Sequence, residues 1–138
     1  MSILKKELSA IHLDEGNYPQ AISLLQNHLQ LNPINWEAYN LLMESYFRMN
    51  RFELAIEIFD SILKDAKSDC LWNNWIVTHL SNDSLTKDLV SKAIENSTWK
   101  HFINFNISIC TDSHLRALVF PQSGIKDSFF TALILEYF

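Results

Sequence analysis

The chain has 138 residues, 48% of them hydrophobic, with two glycines, three prolines and a net charge of −5. That is enough apolar material for one core without metal or disulfide support, too little turn punctuation for a strand-rich fold, and the wrong sign of charge for neutralising a phosphate backbone. No run reaches the roughly 20 apolar residues of a membrane-spanning helix, so neither nucleic acid nor membrane is an expected partner, and an all-α protein is expected.

Met1 to Glu15 reads as a helix with Leu4, Leu8, Ile11 and His12 on one face. Gly16-Asn17-Tyr18-Pro19 breaks it, the glycine supplying a left-handed stop and the proline fitting the first turn of the next helix. Residues 19–31 form that helix, with Ala21, Ile22, Leu25 and Leu29 inward, and Asn32-Pro33 ends it. Pro33 to Lys67 reads as a second hairpin. Its first helix carries Trp36, Tyr39, Leu42, Met43 and Tyr46 at helical spacing, and its second carries Leu54, Ala55, Ile58, Phe59, Ile62 and Leu63. Asn50-Arg51 forms the turn between them.

The two hairpins superpose as an internal repeat of 34 residues: Leu8 on Leu42, His12 on Tyr46, Gly16 on Asn50, Tyr18 on Phe52, Ala21 on Ala55, Leu25 on Phe59 and Leu29 on Leu63. This pattern resembles the tetratricopeptide repeat family, with Tyr39, Leu42, Tyr46, Ala55 and Phe59 in its slots in the second copy and Leu8, Ala21, Leu25 and Pro33 in the first. The usual glycine of the first helix is replaced by Ser9 and Met43, and the terminal proline of the second copy by Lys67.

A third hairpin is expected, because two repeats leave an apolar face open. Another 34-residue step puts Ile76, Leu80, Leu89, Val90 and Ala93 at core slots but Asn73, Ser84 and Thr86 at the aromatic and turn slots. Residues 69–80 and 84–97 therefore read as a degenerate copy, with Asn82-Asp83-Ser84 as the cap between its helices and Trp72 and Trp75 packing it onto the central pair. Beyond it, Thr98 to Ile109 is expected to be helical, a short helix is expected from about Ser113 to Phe120, and Pro121 to Gly124 is a loop. The run Ile125 to Phe138 is nearly all apolar and carries no stop signal. It is expected either to fold back, to bury against a second copy through Phe129, Phe130, Leu133, Tyr137 and Phe138, or to lead into a longer protein, the last being preferred. The domain boundaries expected are 1–67, 68–97 and an extension at 98–138, all within one domain. The stretch His114 to Leu118 with Phe129 to Leu135 also resembles the junction between repeats and catalytic module in bacterial repeat-containing methyltransferases.

Catalytic chemistry finds little support. None of His12, His28, His79, His101 and His114 stands in HExxH or beside a spaced Cys, Asp or Glu, so no metal or cofactor is expected. Cys110 with His79 or His101 lacks any nucleophile motif or oxyanion loop, and His12, in the slot of Tyr46, is expected to be packed and hydrogen-bonded. Cys70 and Cys110 lie far apart and are expected to be reduced, in a cytoplasmic protein with no apolar leader segment.

The resemblance implies a right-handed superhelix of tetratricopeptide-like hairpins, two clear and one degenerate, followed by C-terminal helices. It also implies a concave groove lined by the first helix of each pair: Lys6, Ala10 and Leu13, then Glu37, Asn40, Glu44, Phe47 and Arg48. A protein or peptide partner is expected there, Phe47 serving as anchor and Arg48 as a fork for a carboxylate. The alternatives are a substrate-recruiting part of a larger transferase and a homodimer formed through the C-terminal run. A clamp for a chaperone C-terminus is not expected, because Ala10 and Leu41 fill its two asparagine slots.

Overall fold

The computed structural model describes residues 2–66, 68–96, 115, 116 and 118. Six helices are present and no strand occurs among the described residues: α1 (Ser2–Asp14), α2 (Tyr18–Leu31), α3 (Trp36–Arg48), α4 (Phe52–Ile62), α5 (Asp69–Ser81) and α6 (Lys87–Glu95). The chain divides into two compact units, residues 1–61 and 62–138. The helices expected at Thr98 to Ile109 and over Ile125 to Phe138, the loop at Pro121 to Gly124, and the assembly surface of Phe129, Phe130, Leu133, Tyr137 and Phe138 lie outside the described residues.

In the first unit α1, α2 and α3 pack on one another around Leu13, Ala21, Leu25, Leu29, Ala38, Leu41 and Leu42. Burying each of the larger side chains contributes on the order of 1.5–3 kcal/mol. The two small residues of the repeat, Ala21 and Ala55, are both 0% exposed, as expected where one helix must lie close to its neighbour. The outward face of α1 differs from the expectation: Leu8 and Ile11 are 44% and 52% exposed, whereas their repeat counterparts Leu42 and Ser45 are buried. The second copy's first helix, α3, packs against both α1 and α2, and Leu42 belongs to the core cluster the three helices share.

The turns carry the repeat most clearly. At the end of α1, the N–H of Asn17 donates to the His12 carbonyl at 2.7 Å and that of Gly16 to Leu13 at 3.1 Å. At the end of α3, Arg51 donates to Tyr46 at 2.9 Å and Asn50 to Phe47 at 3.0 Å; at the end of α5, Ser84 donates to His79 at 2.9 Å and Asp83 to Leu80 at 3.2 Å. This is the paired arrangement that closes a helix on a left-handed residue. The φ values of Gly16, Asn50 and Asp83, +82°, +60° and +56°, place all three there.

Between the first two turns the spacing is the expected 34 residues, His12 to Tyr46, but the next step, Tyr46 to His79, is 33. The start of α5 shows the same shortening: Asn35 caps α3 by accepting from the Ala38 N–H, and Ser68 caps α5 by accepting from Leu71. Trp72, not Asn73, therefore occupies the aromatic slot of Tyr39. The helix α6 then begins at Lys87, capped by the Thr86 side chain, three residues later than expected, and Val90 takes the buried place of Ala55. One residue lost before α5 and two gained in the turn after it explain why a rigid 34-residue step misread this copy.

The second unit is built on α5, in which every residue from Cys70 to Leu80 is buried. Trp72 and Trp75 meet edge to face at 5.2 Å, Trp75 and His79 at 4.8 Å, and the Lys92 ammonium lies 5.7 Å from the Trp75 ring. Two expectations fail in this unit. Residues 115, 116 and 118 are not helical; their backbone is held by a side chain of α5, an interaction no local periodicity encodes. Cys70 is disulfide-bonded rather than a reduced thiol, since separation along the sequence does not set separation in space. That bond removes the cysteine argument for a reducing compartment.

Candidate functional site

The first helices of the two clear repeats meet along a polar seam. Near its start, the Lys6 Nζ and Glu37 Oε2 form an ion pair at 2.8 Å, joining α1 to α3. Both side chains are partly open, at 19% and 36% exposure. Toward its other end, Arg48 Nη2 pairs with Glu44 Oε2 at 2.7 Å, one turn earlier on α3, and Arg48 Nη1 reaches the Leu13 carbonyl at 3.5 Å. Leu13 stands in the last turn of α1, where the helix dipole favours a cation, and its carbonyl accepts from Arg48 in addition to the Gly16 N–H. Lys6, Glu37, Arg48 and Glu44 thus mark a line from α1 to α3, the helices expected to line a groove.

The expected groove residues divide by exposure. Leu13 is 0% exposed in the core, and Asn40 and Glu44 are buried at 2% and 4%. Ala10 and Phe47 are half-buried, and Arg48 is exposed. The Phe47 ring meets Phe52 edge to face at 5.3 Å, so Phe47 covers the start of α4 as well as bordering the seam. Arg48 is held from two sides, yet a guanidinium carries five N–H donors, which leaves it able to accept a further carboxylate without moving.

Two arrangements escaped the sequence. Asn35 uses both ends of its carboxamide: Oδ1 accepts from the Ala38 N–H at 3.1 Å, and Nδ2 lies 2.8 Å from His28 Nε2. With Nδ2 as donor, the His28 ring accepts at Nε2. The signal was an asparagine immediately before a helix beside a histidine seven residues back. The second arrangement is Asn74, whose amide holds residues 116 and 118; an Asn-Asn pair between the tryptophans of α5 was its only trace. His12 is half-buried with its Nδ1 buried and without a partner among the described residues, so the hydrogen bond expected of it is not made there.

Among the described residues no helix is long and apolar enough to cross a membrane. Residues 12–73 match the family model described as tetratricopeptide repeat. No curated protein and no solved structure matches the chain. The matched span runs from the end of α1 into α5 and takes in both positive-φ turns that close α1 and α3, and the six helices without strands among the described residues are consistent with a tetratricopeptide-like helical repeat fold.

Proposed function

We propose that the chain is a protein–protein interaction module that holds a peptide or helix of a partner protein along the seam between α1 and α3. The observation that carries this reading is the repeat match over residues 12–73, together with the alignment of Lys6, Glu37 and Arg48 on the two first helices. The partner meets Lys6 and Glu37 at one end and Phe47 and Arg48 at the other, with Ala10 leaving room between them. Asn40 and Glu44 act from beneath, Glu44 by fixing the Arg48 fork before the partner arrives. Such preorganisation lowers the ordering cost of binding.

The test is site-specific photocrosslinking with a reactive residue at Ala10 and, as a control, at Glu57 on α4. A defined partner is expected to crosslink from position 10 and not from position 57. Exchanging Lys6→Glu with Glu37→Lys keeps the internal ion pair while reversing the charge offered by each helix, and it should reduce capture at least tenfold. Capture from position 57 alone, or capture indifferent to the exchange, overturns the reading.

A further inference from the structure

The charges along the seam have an order. In each of its two ion pairs one side chain is more open than the other: Glu37 is 36% exposed against 19% for Lys6, and Arg48 is 37% exposed against 5% for Glu44. What the seam turns outward is a carboxylate at its start and a guanidinium at its end. Glu37 stands in the first turn of α3 and Arg48 in the last. They are about three turns apart, roughly 16 Å along the axis and about 20° around it, so both lie on one face of the helix. The helix α1 runs in the same direction as α3, since Lys6 meets Glu37 near the start of both and the Leu13 carbonyl meets Arg48 near their ends.

An extended ligand laid on this face would carry backbone N–H and C=O groups that need partners. The seam's carboxamide, Asn40, is 2% exposed and out of reach of such a ligand. Between the charged ends the seam presents Ala10, half-buried and one turn beyond Lys6. A helix pairs its own backbone and needs only side-chain contacts, and the small Ala10 lets it come close. Charge then sets its direction. A helix is favoured with acids in its first turn and bases in its last. Laid antiparallel to α3, such a helix places its acids on Arg48 and its bases on Glu37. Laid parallel, it brings like charges together at both ends, which selects against that direction.

We propose that the occupant of the seam is an amphipathic helix running antiparallel to α1 and α3, with Asp or Glu in its first turn and Lys or Arg about eleven residues later. This rests on the reading of the seam as the binding surface and adds the partner's secondary structure, direction and charge order.

The probe is a displayed library of alanine-based peptides of about 15 residues, long enough to be helical alone, randomised along one face and selected on the full chain. Enriched sequences should carry acid before base at that spacing at least tenfold more often than base before acid. Exchanging the acid and base within a selected peptide should weaken its binding at least tenfold by fluorescence anisotropy, and a mid-segment proline should abolish binding. On the chain side, Lys6→Glu with Glu37→Lys reverses the open charge at one end, and a selected peptide should regain its affinity for that chain when its last-turn base is changed to Glu. Binders indifferent to charge order, binders that tolerate the proline, or a library from which nothing is enriched overturn the proposal. Photocrosslinking separates this from the reading beneath it. Charge-indifferent binders that still crosslink from position 10 remove the antiparallel helix and leave the seam as the binding surface, whereas binders that crosslink from position 57 alone remove both.

Discussion

The Arg48–Glu44 pair determines whether the most obvious binding variant can be interpreted. Replacing Arg48 with Ala removes the guanidinium 2.7 Å from a carboxylate whose side chain is 5% exposed, while the lost guanidinium itself was 37% exposed. A fully buried pair broken from one side costs about 3–5 kcal/mol, and a fully exposed pair about 0.2–1 kcal/mol. One buried and one part-open partner place Arg48→Ala between these limits, at about 2 kcal/mol. The 3.5 Å contact to the Leu13 carbonyl adds little at that length. Glu44→Gln keeps the shape without the charge and should cost about 1 kcal/mol alone. In the double variant the stranded charge is gone, so the two changes should couple by about 1.5 kcal/mol. Urea unfolding of the four proteins, followed by far-ultraviolet circular dichroism, measures this directly. A coupling below about 0.5 kcal/mol would mean that Glu44 is satisfied without Arg48 and that the fork is not preorganised. If the coupling is found, loss of binding by Arg48→Ala reflects stability as well as recognition, and Arg48→Lys becomes the cleaner probe of bidentate contact.

Other outcomes follow from single residues. Asn35→Ala removes a helix cap and a bond to the buried His28 ring, and should lower stability by about 2 kcal/mol; Asn35→Ser keeps the cap acceptor and should recover about half of this in thermal melts. Gly16 sits at φ +82° with nothing within 4 Å of the position a Cβ would take, so Gly16→Ala should cost about 1 kcal/mol from backbone conformation alone; Gly16→Asn should cost less, as Asn50 holds the equivalent place at φ +60°. Ala55→Leu, at a fully buried contact, should destabilise by about 1–3 kcal/mol through overpacking, while Leu54→Ala on the exposed side of the same helix should change the melting midpoint little.

The first two hairpins were legible because each local signal agreed with the repeat. A positive-φ residue was called for at positions 16 and 50, small residues at 21 and 55, and a proline near the start of α2; all are realised. The third hairpin was legible as an event but not in register. A helix whose polar residues are buried as deeply as its apolar ones has no single face, and only a face fixes the phase of a repeat. Trp72, read as the counterpart of Tyr39, would have given the 33-residue step.

The seam between α1 and α3 was half legible for a different reason. Family position selects residues by where the backbone places them, but it is silent on which of them already have partners. Lys6, named as a ligand contact, holds Glu37, also named as one, and Arg48 likewise holds Glu44. Sequence spacing of 31 residues between Lys6 and Glu37 carries no charge-pair signal of the kind that i, i+4 spacing gives for Glu44 and Arg48. A surface of this kind offers a partner few unpaired charges. On the proposed reading, specificity then rests on the order of the charges along the seam, on shape around Ala10 and Phe47, and on the spare donors of the Arg48 guanidinium, rather than on net attraction.

Residues 115–118 illustrate the deeper limit. A run of Leu, Arg, Ala and Leu has good helix propensity, and nothing adjacent in the chain forbids a helix. What decides its conformation is a carboxamide 42 and 44 residues earlier, which in the structure holds the Arg116 carbonyl and the Leu118 amide. A helical segment would turn those backbone groups to its own ladder and take two backbone partners from a carboxamide that is 0% exposed, at a cost of about 1–3 kcal/mol. An isolated run of four residues gains little from helix propensity, because helices shorter than about 12 residues are marginal in water, so the buried amide outweighs the local preference. The informative feature was therefore in α5 and not in the segment itself: an Asn-Asn pair on a helix buried from Cys70 to Leu80 requires partners that helix neighbours cannot supply, and the Arg116 carbonyl and Leu118 N–H supply two of them.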